Sequence, residues 1–139
     1  MSVEQYKIKK YSPKFAKKTV TVMRKVSQQV FGEQANGDFE TQISDFKNRL
    51  AKQYDLRIIT SFNERTIYAV VIFTTTRLIE LIVDPSQKHS QIGISLIKLV
   101  QEQSDGSLEC ETARKPLATI LKQSGFQERT PNHYQWHQN

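Results

Sequence analysis

A chain of 139 residues with 37% hydrophobic and 24% charged positions can bury one globular core and is too short for two full domains. Its formal charge is +6, and its one cysteine, Cys110, excludes an intrachain disulfide and any multi-cysteine metal site, which points to a reducing, cytoplasmic setting. The start Met1-Ser2-Val3-Glu4-Gln5 lacks a signal-peptide pattern and no apolar run approaches a bilayer span, so no membrane partner is expected.

Gln5 to Lys9 reads as a short strand, and Lys7, Lys9, Lys10, Lys14, Lys17 and Lys18 crowd this strand and the stretch after it. Such a cluster suits an anionic partner, nucleic acid included; with little aromatic interleaving to stack bases, a solvated lysine face is the simpler reading. Ser12-Pro13 makes a helix start, serine as cap and proline in the first turn, and Phe15, Thr19, Val22, Val26 and Val30 carry a first helix to about Phe31. After the polar break Gly32 to Gly37, Asp38 caps a second helix with a buried stripe of Phe39, Ile43, Phe46 and Leu50. Alternation of Leu56, Ile58, Thr60 and Phe62 marks a strand that turns at Asn63-Glu64-Arg65. Ile67 to Thr74 and Leu78 to Val83 follow as strands apolar enough to be buried on both faces. Helical period returns after Pro85 with Ile92, Leu96, Leu99, Val100 and Gln103 on one side, ending at Asp105-Gly106. Ser107 to Glu111 is a strand, and Pro116, Leu117, Ile120 and Leu121 mark a short helix that stops at Gly125 in a left-handed cap. Phe126 to Arg129 and Tyr134 to His137 pair antiparallel across Thr130-Pro131-Asn132. The order β-α-α-β-β-β-α-β-α-β-β implies one α/β (α+β) domain over residues 1–139, without repeats or linkers.

The stretch Glu80 to Leu96 joins a buried strand to an amphipathic helix through a polar loop. Unpaired backbone N–H groups and the positive dipole end make such a helix start a seat for phosphate. Lys88 adds charge there, His89 and Ser90 add donors, and Gly93 lets a backbone or ligand approach the first turn. An ordinary capped helix would share most of these features.

More specifically, the segment resembles motif A of the GNAT superfamily, the GCN5-related N-acetyltransferases, whose usual text is an apolar strand, Val-x-Pro, Arg or Gln-x-x-Gly-x-Gly or Ala, then an apolar helix. Val83-Asp84-Pro85 matches, Lys88 stands at the Arg or Gln position, Gly93 matches the last glycine, and Gln91 replaces the earlier one. Downstream, Arg114 to Phe126 is similar to motif B: Gly125-Phe126 matches, with Arg114 at the Asn position, Leu117 at the small residue and Leu121 at the Tyr position. The element order also resembles that family, which implies a mixed central sheet with helices on both faces. The resemblance further implies acetyl-CoA as acyl donor, with its pyrophosphate on the amides of His89, Ser90, Gln91, Ile92, Gly93 and Ile94, helped by Lys88. Backbone groups near Ile82 and Val83 would pair with the pantetheine arm where this strand splays from its neighbour, and Arg114 would border the cofactor.

Acyl transfer to an amine needs alignment of the partners and removal of a proton from the ammonium. Glu80, interrupting the apolar strand, is the candidate base; the bland alternative is a strand-end carboxylate facing solvent or paired with Arg57 or Arg77. Leu121 cannot protonate the departing thiolate as the motif B tyrosine does, leaving water, Tyr68 or Tyr134. Cys110 reads as a buried hydrophobe, His133 and His137 as bystanders, and no metal motif occurs. An acetyl-CoA-dependent N-acyltransferase acting on an unidentified amine of a small molecule or protein is therefore the leading expectation. The acceptor pocket would draw on the two early helices, with Glu33, Asp38 and Glu40 as candidate acids. A GNAT-fold CoA-binding or regulatory module without turnover and a nucleic-acid-binding protein are the rivals, and a homodimer stays open.

Overall fold

The computed structural model describes residues 6–24, 38–87 and 91–138. Seven strands form one sheet in the order β1-β2-β3-β4-β5-β7-β6. In chain order the elements are β1 (Tyr6–Lys10), a 3₁₀ turn (Pro13–Phe15), α1 (Ala16–Arg24), α2 (Phe39–Asp45), β2 (Asp55–Ser61), β3 (Ile67–Phe73), β4 (Arg77–Val83), α3 (Ile92–Gln103), β5 (Ser107–Glu111), α4 (Lys115–Gln123), β6 (Gln127–Thr130) and β7 (His133–His137). A π-helical turn (Phe46–Leu50) and a last α-turn (Ala51–Gln53) extend α2. Every strand pair is antiparallel except β4 with β5, which are joined through α3 as a parallel pair must be.

Helices cover both faces of this sheet. On one face, Ile92, Leu96, Ile97 and Val100 of α3 and Leu117 and Leu121 of α4 pack on Val71, Phe73, Leu78 and Leu81. On the other, Val20 and Met23 of α1 and Ile43 and Phe46 of the α2 segment pack on Ile58, Val70, Ile72 and Ile82. Alternate residues of β3 feed the two layers, which is why its run reads as continuously apolar. Leu96 is fully buried, and cutting it to alanine would cost about 2–5 kcal/mol.

Several local expectations meet the structure differently. Ser12 holds the extended conformation of a cap, but its side chain makes no capping bond; its carbonyl accepts from Phe15 N at 2.9 Å because the first turn is 3₁₀. Asp38 does cap α2, accepting from Thr41 N at 2.7 Å. Phe62 ends outside β2 and is 62% exposed, so the strand's apolar alternation stops at Thr60. Ile97 joins the buried stripe of α3 while Gln103 is exposed. Gly125 takes φ +91, and Phe126 N donates back to the Leu121 carbonyl at 3.0 Å, closing α4 as a left-handed cap should. Val26, Val30, Phe31, the Gly32 to Gly37 break and Glu33 lie outside the described residues.

The lysines gather rather than spread. Glu64, at the β2–β3 turn, receives Lys9 at 2.7 Å, Lys7 at 3.2 Å and Lys14 at 3.9 Å, and its carbonyl accepts from Lys18 at 3.5 Å. Bonds from Lys9 and Lys7 hold the Glu64 carboxyl down to about 2. Three of the six clustered lysines therefore already answer an internal acid, and a fourth its backbone carbonyl, which weakens the nucleic-acid expectation. Among the described residues, no helix is long and apolar enough to cross a membrane.

Candidate functional site

The parallel ladder between β4 and β5 holds only Arg77 with Glu109 and Leu78 with Cys110. Beyond it β4 runs on to Val83, while β5 ends at Glu111 and the chain turns through Thr112 into α4. The two strands therefore diverge, and a cleft of about 580 Å³ opens over the upper half of β4. Leu81, Val83, Gln91, Gly93, Ile94, Arg114, Leu117 and Ile120 are among its lining residues.

A bulge in β4 shapes the floor. Ile72 pairs with Glu80, but Phe73 pairs with Leu78, so Ile79 is an extra residue without an opposite number. The side chains record the same slip. Leu78 and Leu81, three apart, share the α3/α4 layer, and Ile79 and Ile82 contact the α1/α2 layer. Past the bulge the backbone groups exchange directions. Asp84 N donates to the Tyr68 carbonyl at 2.7 Å, and on the same alternation Ile82 turns its backbone toward β3 while Leu81 and Val83 turn theirs into the gap. Of the two residues expected to offer backbone groups to a ligand, Val83 faces the cleft. Ile82 does not: its side chain is fully buried and its peptide belongs to the β3–β4 ladder.

Leu81's exposed peptide edge is already covered by side chains. Its N–H donates to Glu80 Oε1 at 3.0 Å, and its carbonyl accepts from Arg114 Nη2 at 2.6 Å. The same Nη2 donates to Glu80 Oε1 at 2.9 Å, forming an ion pair whose side chains are only 17% and 10% exposed. Glu80 thus pairs with neither Arg57 nor Arg77. Arg57 lies 5.6 Å over the Phe73 ring, and Arg77 is exposed at the far end of β4. Burial raises the Glu80 pKa, and the opposing pull of the Arg114 charge does not cancel it. Arg114 is the N-cap residue of α4, with its own N–H bonded to Thr112 Oγ1 at 3.1 Å, and its Nε is buried without a partner.

At the other end of the cleft, Gln91 is the N-cap residue of α3 and its side chain makes no capping bond. Gln91, Gly93 and Ile94 line the opening, whereas Ile92 sends its side chain into the core. The approach to this helix is shaped by Asp84, whose Oδ1 accepts from Ser86 N at 2.9 Å and whose carbonyl accepts from Gln87 N at 2.8 Å. Gly93 admits a neighbour, but that neighbour is α4: an added Cβ would stand 2.8 Å from Ile120 Cδ1. Lys88, His89 and Ser90 lie outside the described residues.

The remaining candidates fall away from the cleft. Leu121 is fully buried in the core. Cys110 is buried and its thiol is pushed up to about 12, first by burial and then by Glu80, so it is no nucleophile near neutral pH. Tyr134 is buried in the α3/α4 layer, Tyr68 is half-buried beside it, and His133 faces Glu111 at 3.6 Å in solvent. Asp38 is occupied as a cap, and Glu40 borders a shallow depression with Thr41, Ser44 and Asp45. Sequence reasoning missed Leu81 and Ile120 as lining residues, since both read simply as core positions.

A mixed seven-stranded sheet whose parallel pair splays beside a helix N-terminus is a distinctive α/β arrangement, and comparison with solved structures places it further. An N-acetyltransferase from Staphylococcus aureus Mu50 superposes with a TM-score of 0.72 over 96% of this chain and 98% of its own, at 8% identity. A Salmonella typhimurium protein solved with its cofactor acetyl-CoA gives 0.68 over 96% and 94%, also at 8% identity. A spermidine N-acetyltransferase variant from Vibrio cholerae gives 0.67 over 91% and 81%, at 9% identity. No family model matches the chain, and no curated protein matches it by sequence. The fold is that of the GCN5-related N-acetyltransferases, in a divergent sequence.

Proposed function

We propose that residues 1–139 work as a single acyl-CoA-binding domain that transfers an acetyl group from acetyl-CoA to an amine. The observation that carries this reading is the continuous cleft from the start of α3, along Val83, to Arg114 of the buried Glu80–Arg114 pair. The α3 start, with Gln91, Gly93 and Ile94 and the preceding Lys88, His89 and Ser90, would hold the pyrophosphate. The amide of Ile92 would join them while its side chain stays in the core. Val83 would bond the pantetheine arm through its backbone. Glu80, a carboxyl kept more basic than usual by burial, would take the amine's proton. A lone buried thiol suits the reducing cytoplasm, where we place the protein.

Calorimetric titration with acetyl-CoA and with CoA tests this first; failure of both to bind removes the reading. Turnover with a panel of amines, wild type beside Glu80→Gln, then tests the base, and equal rates would dismiss Glu80. A CoA-binding module without turnover is favoured by one observation, the complete burial of Leu121 where a proton donor would stand. Tight CoA binding with no acetylation of any amine would select it.

A further inference from the structure

Resting on the acyltransferase reading, we propose that Arg114 is the electrostatic partner of the departing sulfur, replacing a proton donor on α4 with a fixed positive charge. The cleft has a direction. Val83 stands beside the α3 start, and Leu81 lies about 7 Å deeper at roughly 3.3 Å per strand residue. A ligand anchored by its phosphates at α3 and running along Val83 therefore brings its far, reacting end to Leu81 and Arg114, with Glu80 bonded to Arg114 beside them.

Arg114 is held there from two sides. Nη2 is committed to Glu80 Oε1 and to the Leu81 carbonyl, while Nε is buried with no acceptor. Arg114 lines the cleft with its side chain only 10% exposed, so a group arriving beside it meets a charge that little water screens. Guanidinium keeps its proton at any working pH, so it serves as a charge and not as an acid. Leu121, fully buried, supplies no donor on the same helix.

The charges close over the reaction. In the resting complex the Arg114 cation is balanced by the Glu80 carboxylate. As the amine nitrogen bonds the thioester carbon, its proton passes to Glu80, directly or through water. The carbon–sulfur bond breaks with its electron pair going to sulfur. Glu80 is then neutral, and the Arg114 charge it had balanced is free to balance the new thiolate. The proton on Glu80 finally returns, by way of solvent, to give the CoA thiol, so no net charge builds in the buried site at any stage.

The test reads the ionisation of the CoA thiol bound to the protein, followed by ultraviolet thiolate absorbance with the CoA-free protein as blank. Glu80→Gln copies the protonated carboxyl and should uncover Arg114. Its bound thiol should ionise about one pH unit or more below that in Glu80→Gln/Arg114→Gln, the size a nearby opposite charge produces. Wild type should fall between them. Equal values in the two variants would overturn the proposal, since a merely structural arginine would not move a ligand's titration. Where the double variant does not fold, wild type against Glu80→Gln carries the comparison, and the absence of a downward shift overturns it equally. Failure of wild type to bind CoA refutes the acyltransferase reading itself, which keeps the two failures distinct.

Discussion

Replacing Arg114 by methionine should cost more stability at high pH than at low pH. The substitution keeps the aliphatic stem but removes the bonds to Glu80 Oε1 at 2.9 Å and to the Leu81 carbonyl at 2.6 Å. It also leaves a carboxyl facing a site where burial already raises its pKa. Breaking a buried pair by deleting one partner costs about 3–5 kcal/mol, and bonds to charged groups about 1.5–3 each. Because Glu80 can escape by taking a proton, the low end applies, about 3 kcal/mol near pH 8, or a fall of roughly 10 °C in Tm. The sign follows from linkage. A carboxyl with a folded-state pKa above its unfolded value adds stability below the unfolded value, and that contribution is lost as pH rises through the folded one. Of the influences opposing burial at Glu80, the Arg114 charge is the larger, so its removal lifts the folded pKa further. The deficit relative to wild type should grow as pH rises from the ordinary carboxylate range to neutral and above. Urea melts followed by circular dichroism across that range measure it. A deficit below about 1 kcal/mol, the scale of an exposed pair, or one that stays flat with pH refutes the reasoning.

Three further perturbations test other parts of the molecule. Asp38→Ala removes the bond to Thr41 N and should lower the Tm in a thermal melt; no loss would show that the cap does not contribute. Glu64, brought by Lys9 and Lys7 from 4.5 to about 2, contributes stability that is present above 4.5 and disappears as pH falls toward 2. Glu64→Gln should therefore lower stability at neutral pH and flatten its decline across that acid window, and an unchanged acid melt would count against the lysine cluster. Leu121→Tyr overfills a fully buried site and should destabilise by about 1–3 kcal/mol, without raising acetylation rates. A faster, equally stable variant would mean that this position does reach the cleft.

Element order was legible because each helix carries an apolar stripe and each turn its own chemistry, as Asp38 and Gly125 show. The bulge was not. Leu78, Ile79, Leu81, Ile82 and Val83 are all apolar, so a one-residue slip leaves no break in alternation to read, although it decides which peptides face the gap. Glu80 stood out as the polar intruder on that strand, but its partner lies 34 residues further along the chain. No local pattern could choose Arg114 over Arg57 or Arg77, because the choice is made where β4 and β5 diverge. Gly93 was legible as a site of close approach, and the chemistry of glycine alone could not say that Ile120 would be the visitor.

Net charge proved a poor pointer to the cleft. Lys7, Lys9 and Lys14 sit on or just after the edge strand β1 and converge on the Glu64 carboxylate. Among the described residues that line the cleft, the one cation is Arg114, and it is paired with an acid. The bulge links the two facts about that pair: by turning the Leu81 peptide into the gap between the strands, it creates the donor and acceptor that hold Glu80 and Arg114 in register. A regular β4 would have pointed that peptide at β3 and left the pair without its anchor. The same one-residue slip that shapes the cleft floor therefore also places the charged pair, so a change that straightened β4 should disturb both together.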